Sequence, residues 1–382
     1  MEKDGFGASS PGDLVEIGED GVAFIPNSLP PEIPFLDSVM VELGEAMQAI
    51  GQLQGRGKDL PNPSLLIRPL HTSEALASSR IEGTIAEPQE LAMAASRAQE
   101  QKNEFIDDDI LEVLNYRRAL GDAINMLPDM PISDSMIRGI HKQLLNGLSK
   151  ARGARKNPGE YRKKQCHIGY DKMIRFTPPP AFEVQSLMSR LVEYMNKKDS
   201  SFAPLIDAAL IHYQFEAIHS FNDGNGRVGR ILIPVYLAAR GVLDKDFLLF
   251  CPSIAIEKRR QDYIDGLLEV SRNGDWTGWI RFFLQITREA CEETLVRVEK
   301  IFFLLEDYKK RLSGKGRFPV ELAECLFEGP VVSIGSVEKK FKVTYPTAKR
   351  IVERLVEAKV LQESSHHKRP RLFFAPDIIA LG

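Results

Sequence analysis

From Phe35 onward, apolar residues return at spacings of three and four in one segment after another: 36–53, 106–126, 133–149, 182–198, 204–218, 227–241 and 254–272. Segments with that period bury their apolar stripes by packing helix on helix, so the pattern predicts a mainly α core. The exception is 158–177, PGEYRKKQCHIGYDKMIRFT, where extended residue types flank a Gly-Tyr-Asp-Lys turn ahead of Pro178, Pro179 and Pro180. It reads as a small β-hairpin set between helices.

A length of 382 residues exceeds what one core usually holds, and the composition shifts suggest where to divide it. Residues 1–33 carry Gly, Pro and acids with little periodicity and read as a loose N-terminal arm. Helical regions follow over 34–110 and 111–312, the second ending in a long helix from about Thr277 to Leu312. The stretch SGKGRF reads as a linker, and residues 316–382 place a short amphipathic helix, a turn at Val343 to Tyr345 and a longer helix from Pro346 to Ala358 in helix-turn-helix order. RPRLFFAP would supply a strand of a wing.

Fifty Lys and Arg against 53 Asp and Glu leave a net charge of −3, which excludes a chain that coats a polyanion over its whole surface. No apolar run approaches the roughly 18–20 residues of a membrane span, and the acidic, polar N-terminus lacks the basic end and apolar centre of a signal peptide. Cys166, Cys251, Cys291 and Cys325 lie far apart with no C-x-x-C pair. A cytoplasmic location with no membrane contact is the expectation.

The most informative stretch is HSFNDGNGRVGR, His219 to Arg230, between two strongly helical segments. Gly224 and Gly226 permit left-handed backbone and close approach of a ligand, so the amides around Asn225 can point inward at the mouth of the next helix. That helix N-terminus carries about half a positive charge, and Arg227 and Arg230 add full charges about one turn apart. Phosphate is the natural guest. Asp223 supplies the single carboxylate that Mg²⁺ needs when phosphate and water provide its other ligands, and His219 can face the same pocket as general base. Gly224 to Gly229 also spells G-x-G-x-x-G, but a helix precedes it where a dinucleotide fold needs a strand. His212, Glu216 and His219 lack the H-E-x-x-H spacing of a zinc site, and His212 reads as a packed structural histidine.

This run resembles the Fic motif, H-P-F-x-[DE]-G-N-G-R-x-x-R, with Ser220 where proline is usual. The resemblance implies a Fic-like helical bundle with a small hairpin flap. It further implies transfer of AMP from ATP to a Ser, Thr or Tyr hydroxyl of a protein, with release of pyrophosphate. His219 would deprotonate the hydroxyl and Asp223 would bind Mg²⁺. Gly224, Asn225 and Gly226 would hold phosphates, Arg227 and Arg230 would orient them, and Val228 and Gly229 complete the nucleotide-binding run. Residues 160–177 resemble the flap that holds the target backbone by strand pairing, with Ile168 and Gly169 near its edge, and Tyr263 resembles the aromatic packed near adenine. Asp275 to Ile280 resembles a stretch that closes the core.

Upstream, Ser78-Ser-Arg-Ile-Glu82-Gly83 places Ser78 and Glu82 on one helical face with a glycine to end the helix. It resembles the inhibitory motif [ST]-x-x-x-E-[GN] of Fic proteins, which implies that Glu82 pairs with Arg230 and occupies the space of the ATP γ-phosphate. Residues 316–382 carry eleven Lys and Arg against eight acids and resemble a winged helix, with Thr344, Thr347, Lys349 and Arg350 near the start of its recognition helix. The expected partners are ATP, a target protein that includes the chain itself, DNA through 316–382, and a second copy in a homodimer. Two other functions use the same residues: an ATP-sensing DNA-binding regulator, and AMP removal with Glu82 positioning water.

Overall fold

The computed structural model describes residues 5–18, 21–34, 36–58, 63–100, 106–153, 156–170, 173–245, 248–364 and 371–381. Strands β1 (Gly12–Glu16) and β2 (Val22–Pro26) pair antiparallel, Gly12 opposite Pro26 and Glu16 opposite Val22. This corrects the reading of residues 1–33 as a loose arm. Phe24 is fully buried, lies 5.7 Å from the Phe176 ring, and donates its amide to the Thr177 carbonyl at 2.9 Å. Four apolar residues, Val22 to Ile25, among Gly, Pro and acids carry too little local pattern to announce a strand; the distant contacts stabilise it.

Helices α1 (Met40–Lys58), α2 (Pro63–Ile81), α3 (Pro88–Glu100), α4 (Asp108–Met126) and α5 (Asp134–Leu144) follow. Next come β3 (Ile168–Tyr170) and β4 (Met173–Phe176), antiparallel, with an irregular register between Ile168 and Gly169. The expected hairpin is present, with its residues 171–172 outside the described set. Then come α6 (Val184–Met195), α7 (Pro204–Ile218), α8 (Asn225–Ala239), α9 (Pro252–Lys258), α10 (Arg260–Asn273) and α11 (Trp276–Arg311). The segment 254–272, expected as one helix, is broken at Arg259, whose guanidinium pairs with Asp262 and Glu289 and lies 4.8 Å over the Phe282 ring.

Every residue of α7 from Leu205 to Ile218 except Glu216 is buried, which puts α7 at the centre of the bundle. Its neighbour α8 is nearly as enclosed, and the loop between them therefore sits at the end of a deeply buried helix pair. The helix α2 reaches this pair with a polar stripe, Glu74, Ser78 and Glu82, at successive i, i+4 positions.

After α11 come α12 (Arg317–Cys325), β5 (Val331–Ser333), α13 (Ile334–Phe341), α14 (Tyr345–Glu357), β6 (Gln362–Glu363), β7 (Leu372–Phe374) and α15 (Pro376–Ile379). The three strands pair in the order β5-β7-β6, and Lys342 turns α13 into α14 with left-handed backbone. Lys368 and Arg369, counted among the basic residues of this region, lie outside the described residues. Met93 of α3 packs with Val331, Leu372 and Phe374, so the C-terminal region leans on the helix that follows Glu82. Among the described residues, no helix is long and apolar enough to cross a membrane.

Candidate active site

Helix α7 ends at Ile218, and His219 caps it in left-handed backbone (φ 50°, ψ 59°). Gly224, also left-handed (φ 76°), precedes the first residue of α8. The intervening loop is stitched by Asn225, whose Oδ1 accepts the Phe221 amide at 2.8 Å and whose Nδ2 donates to the Phe221 carbonyl at 2.9 Å. The Asn225 side chain therefore holds the loop, and its backbone amide, the part expected to face phosphate, stands at the start of α8. Phe221 stacks on His141, ring centroids 3.8 Å apart. The Nδ1 of His141 accepts the Gly159 amide at 2.9 Å, which fixes the proton on Nε2, 3.1 Å from the Asp223 carbonyl that accepts it. From the flap side, buried Arg162 donates to the carbonyls of His219 at 2.8 Å and Pro179 at 2.5 Å, setting the backbone turn at the histidine.

A cavity of about 920 Å³, counting its open mouth, gathers Glu82, Ile168, Gly169, Glu216, His219, Gly226, Arg230 and Tyr263 along its lining, with Ile264, Leu267, Leu268 and Ser271 on its apolar side. Burial, helped by the charge of Arg162, lowers the His219 pKa to about 4 against the weaker pull of the Glu216 backbone. The imidazole is thus neutral at pH 7 and free to take a proton.

Arg230 is buried and fully engaged on one side: Nε donates to Ser78 Oγ at 2.8 Å, and Nη2 to the Ser78 carbonyl at 2.9 Å and to Glu82 Oε1 at 2.7 Å. Burial works against the charge on Glu82, but the field of Arg230 wins and holds its pKa below the ordinary carboxylate range. Gly226 leaves the room this pair needs, since a Cβ there would lie 2.2 Å from Glu82 Oε1. Gly83 has φ 90° and ends the helix as expected.

The other residues of the motif divide sharply. Arg227 does not line the cavity; it is turned toward α4, where its Nη1 lies 2.9 Å from Glu112 Oε2, while Nη2 is 3.7 Å from Asp223. Val228 is a core residue, and Gly229 admits Glu216 Oε1 at a distance no Cβ would tolerate, so it serves the packing of α7 on α8. Asp223 accepts its neighbour's amide, Gly224 N, at 2.7 Å, and its second oxygen is 3.6 Å from Lys156 on the surface. Tyr263 does reach the cavity, but its hydroxyl is 2.9 Å from His212 Nε2, and His212 is a packed histidine whose pKa burial lowers to about 3.

Two family models match the chain: the Fic/DOC family N-terminal region over residues 40–125 and the Fic/DOC family over residues 131–237. The chain belongs to the Fic/DOC family. Curated relatives include the protein adenylyltransferase Fic of Aedes aegypti, 29% identical over 154 residues, and that of Culex quinquefasciatus, 30% identical over 154 residues. Each alignment covers 40% of this chain and 27% of the relative, so the Fic chain matches well under a third of their length. The crystal structure of a Fic family protein from Desulfovibrio desulfuricans G20 superposes with a TM-score of 0.58 at 19% identity, covering 91% of this chain and 98% of that one. The likeness in fold thus extends beyond the two matched regions of this Fic chain.

Several residues of the Fic site gave no signal in the sequence. His141, Arg162 and Glu112 act through contacts with residues 82, 57 and 115 positions away, respectively, and none stands in a recognisable spacing. Glu216 is different: with Asp207 it is one of two acids in a mostly apolar helix, a visible anomaly. Burial, with Glu82 adding repulsion and Arg230 opposing, pushes its pKa up to about 8, so this carboxyl is protonated at pH 7.

Proposed function

We propose that the chain is a protein adenylyltransferase that moves AMP from ATP to a Ser, Thr or Tyr hydroxyl of a protein and is held inactive by Glu82. The observation that carries the reading is that one cavity brings together a neutral His219, the glycine-lined start of α8 and Arg230. His219 takes the hydroxyl proton as the hydroxyl oxygen bonds to the α-phosphorus, and the bond from that phosphorus to the bridging oxygen breaks to release pyrophosphate. The amides at the start of α8 and Arg230 face the phosphates. Asp223, a single partly exposed carboxylate, fits a Mg²⁺ bound mainly by phosphate oxygens and water, which would neutralise the charge of the departing pyrophosphate. The flap edge at Ile168 and Gly169 would present the target as an added strand.

Glu82 on Arg230 removes a phosphate contact and repels the γ-phosphate that needs it. Replacing Glu82 with Gly is therefore expected to increase AMP incorporation, read by mass spectrometry of the chain and of added proteins with ATP and Mg²⁺. Incorporation at the wild-type level overturns the inhibitory role. AMP removal assisted by Glu82 makes the opposite forecast, loss of hydrolysis in the same variant.

The DNA-binding alternative draws less support from the C-terminal module, which has the element order of a winged helix. Lys349 pairs with Glu353, Lys340 with Glu328 and Arg371 with Glu363, so several of its cations neutralise neighbours.

A further inference from the structure

Thr84 and Glu112 lie outside both motifs, yet one carboxylate joins them to the site. Glu112 Oε2 accepts the Thr84 hydroxyl at 2.9 Å and lies 2.9 Å from Arg227 Nη1, while Oε1 is 2.8 Å from Arg152 Nη2. Glu112, Thr84 and Arg227 are 3%, 5% and 3% exposed. At that burial an unpaired charge or hydroxyl is costly, so each group depends on the others. Arg227 has little else: its other acidic neighbour, Asp223, is 3.7 Å away and on the surface. The brake has the same dependence on α4. The chain reverses at Gly83, and the next two residues are clamped there, Thr84 to Glu112 and the Ile85 amide to Asp109 Oδ2 at 3.1 Å.

We propose that Glu112 is the positioning residue that holds Arg227 against α4 and so fixes the start of α8, and that Thr84 uses the same carboxylate as a second anchor for the inhibitory segment. Both motif arginines are then held through one network, Arg230 by Ser78 and Glu82 before the turn and Arg227 by the carboxylate that grips the residue just after it. When the end of α2 moves to take Glu82 from Arg230, Thr84 resists the movement together with the Ile85 amide on Asp109 and Arg260, which donates to the Ile81 carbonyl at 2.8 Å. The consequence for turnover rests on the AMP-transfer reading; the network itself does not.

Two measurements test it. Hydrogen exchange of the amides over 79–86 is expected to quicken about tenfold in Thr84→Val, the loss of one hydrogen bond to a charged acceptor, and to return to the wild-type rate in Thr84→Ser, which keeps the donor. AMP incorporation by Thr84→Val should fall between wild type and Glu82→Gly. Glu112→Gln is expected to quicken exchange about tenfold both over 79–86 and over 225–230 at the start of α8, because the buried Arg227 guanidinium loses its charged partner, whereas Thr84→Val quickens only the first stretch. Unchanged exchange in Thr84→Val overturns the anchor. Unchanged exchange over 225–230 in Glu112→Gln overturns the positioning role. If Glu82→Gly incorporates no AMP, the transfer reading fails, and the exchange results still decide this proposal.

Discussion

At His219 the chain ends a helix in left-handed backbone, and the same turn directs the imidazole into the cavity. Burial has a chemical result: with a pKa near 4, the ring remains an acceptor throughout the neutral range. In the Glu82→Gly background, kcat/KM should therefore hold from pH 7 down to about pH 5 and fall as pH approaches 4, where protonation removes the base. A fall through pH 6.5, the ordinary histidine value, would contradict the buried neutral ring. His219→Ala in the same background should lose about 10²- to 10⁴-fold in transfer while still binding ATP. The sequence made this residue legible because the motif that marks it runs within twelve positions, whereas Arg162, which sets its turn and helps lower its pKa, stands 57 positions away and was not legible. Asn225 shows the limit of such reading. Its type suits a ligand contact, and only the fold reveals that both ends of its amide are committed to Phe221.

Among the elements, most long helices, the flap hairpin and the strand at Leu372–Phe374 were legible, and the N-terminal strands were not. Helix α7 runs from Pro204 to Ile218, the limits that its periodicity predicts, since proline can begin a helix and the apolar pattern then continues without interruption. The N-terminal hairpin escaped because β2 owes its place to Phe176 and Thr177, about 150 residues away. The break at Arg259 escaped for a similar reason, as nothing in the local sequence forbids a continuous helix. The flap was legible as a hairpin but not in its closest approach. At Gly169 a Cβ would lie 1.9 Å from the Met173 carbonyl, so the strands approach only because glycine stands there. Gly169→Ala should force β3 from β4 and, with Glu82→Gly, reduce AMP transfer to a target protein at least about tenfold, given how steeply such reactions depend on placement. ATP affinity should change by less than about twofold. Undiminished transfer would remove the hairpin from target presentation.

Over the whole molecule, one buried hydrophobic cluster continues from Phe24 to Ile378 and includes residues of every helix of the C-terminal region. The division at 316, sensible from composition, is therefore not a division of the core. Scanning calorimetry should show the C-terminal region melting with the helical bundle in one transition. Leu355→Ala, which empties a fully buried position of α14, should lower that transition by the equivalent of about 2–5 kcal/mol. A separate, earlier peak would mean that the seam formed by Met93, Val331 and Phe374 is too weak to couple the two parts.

Helix α11 gives this continuity a dimension. Its 36 residues span about 54 Å. Near one end Trp279 packs beside His212 and Tyr263 at the cavity, and at the other Tyr308 packs on Phe327 in the C-terminal region. On the proposed AMP-transfer reading the rod would act as a ruler: whatever surface the C-terminal region meets would lie at a set reach from His219, and a target would be chosen by the separation of two points on it as well as by the sequence around its hydroxyl.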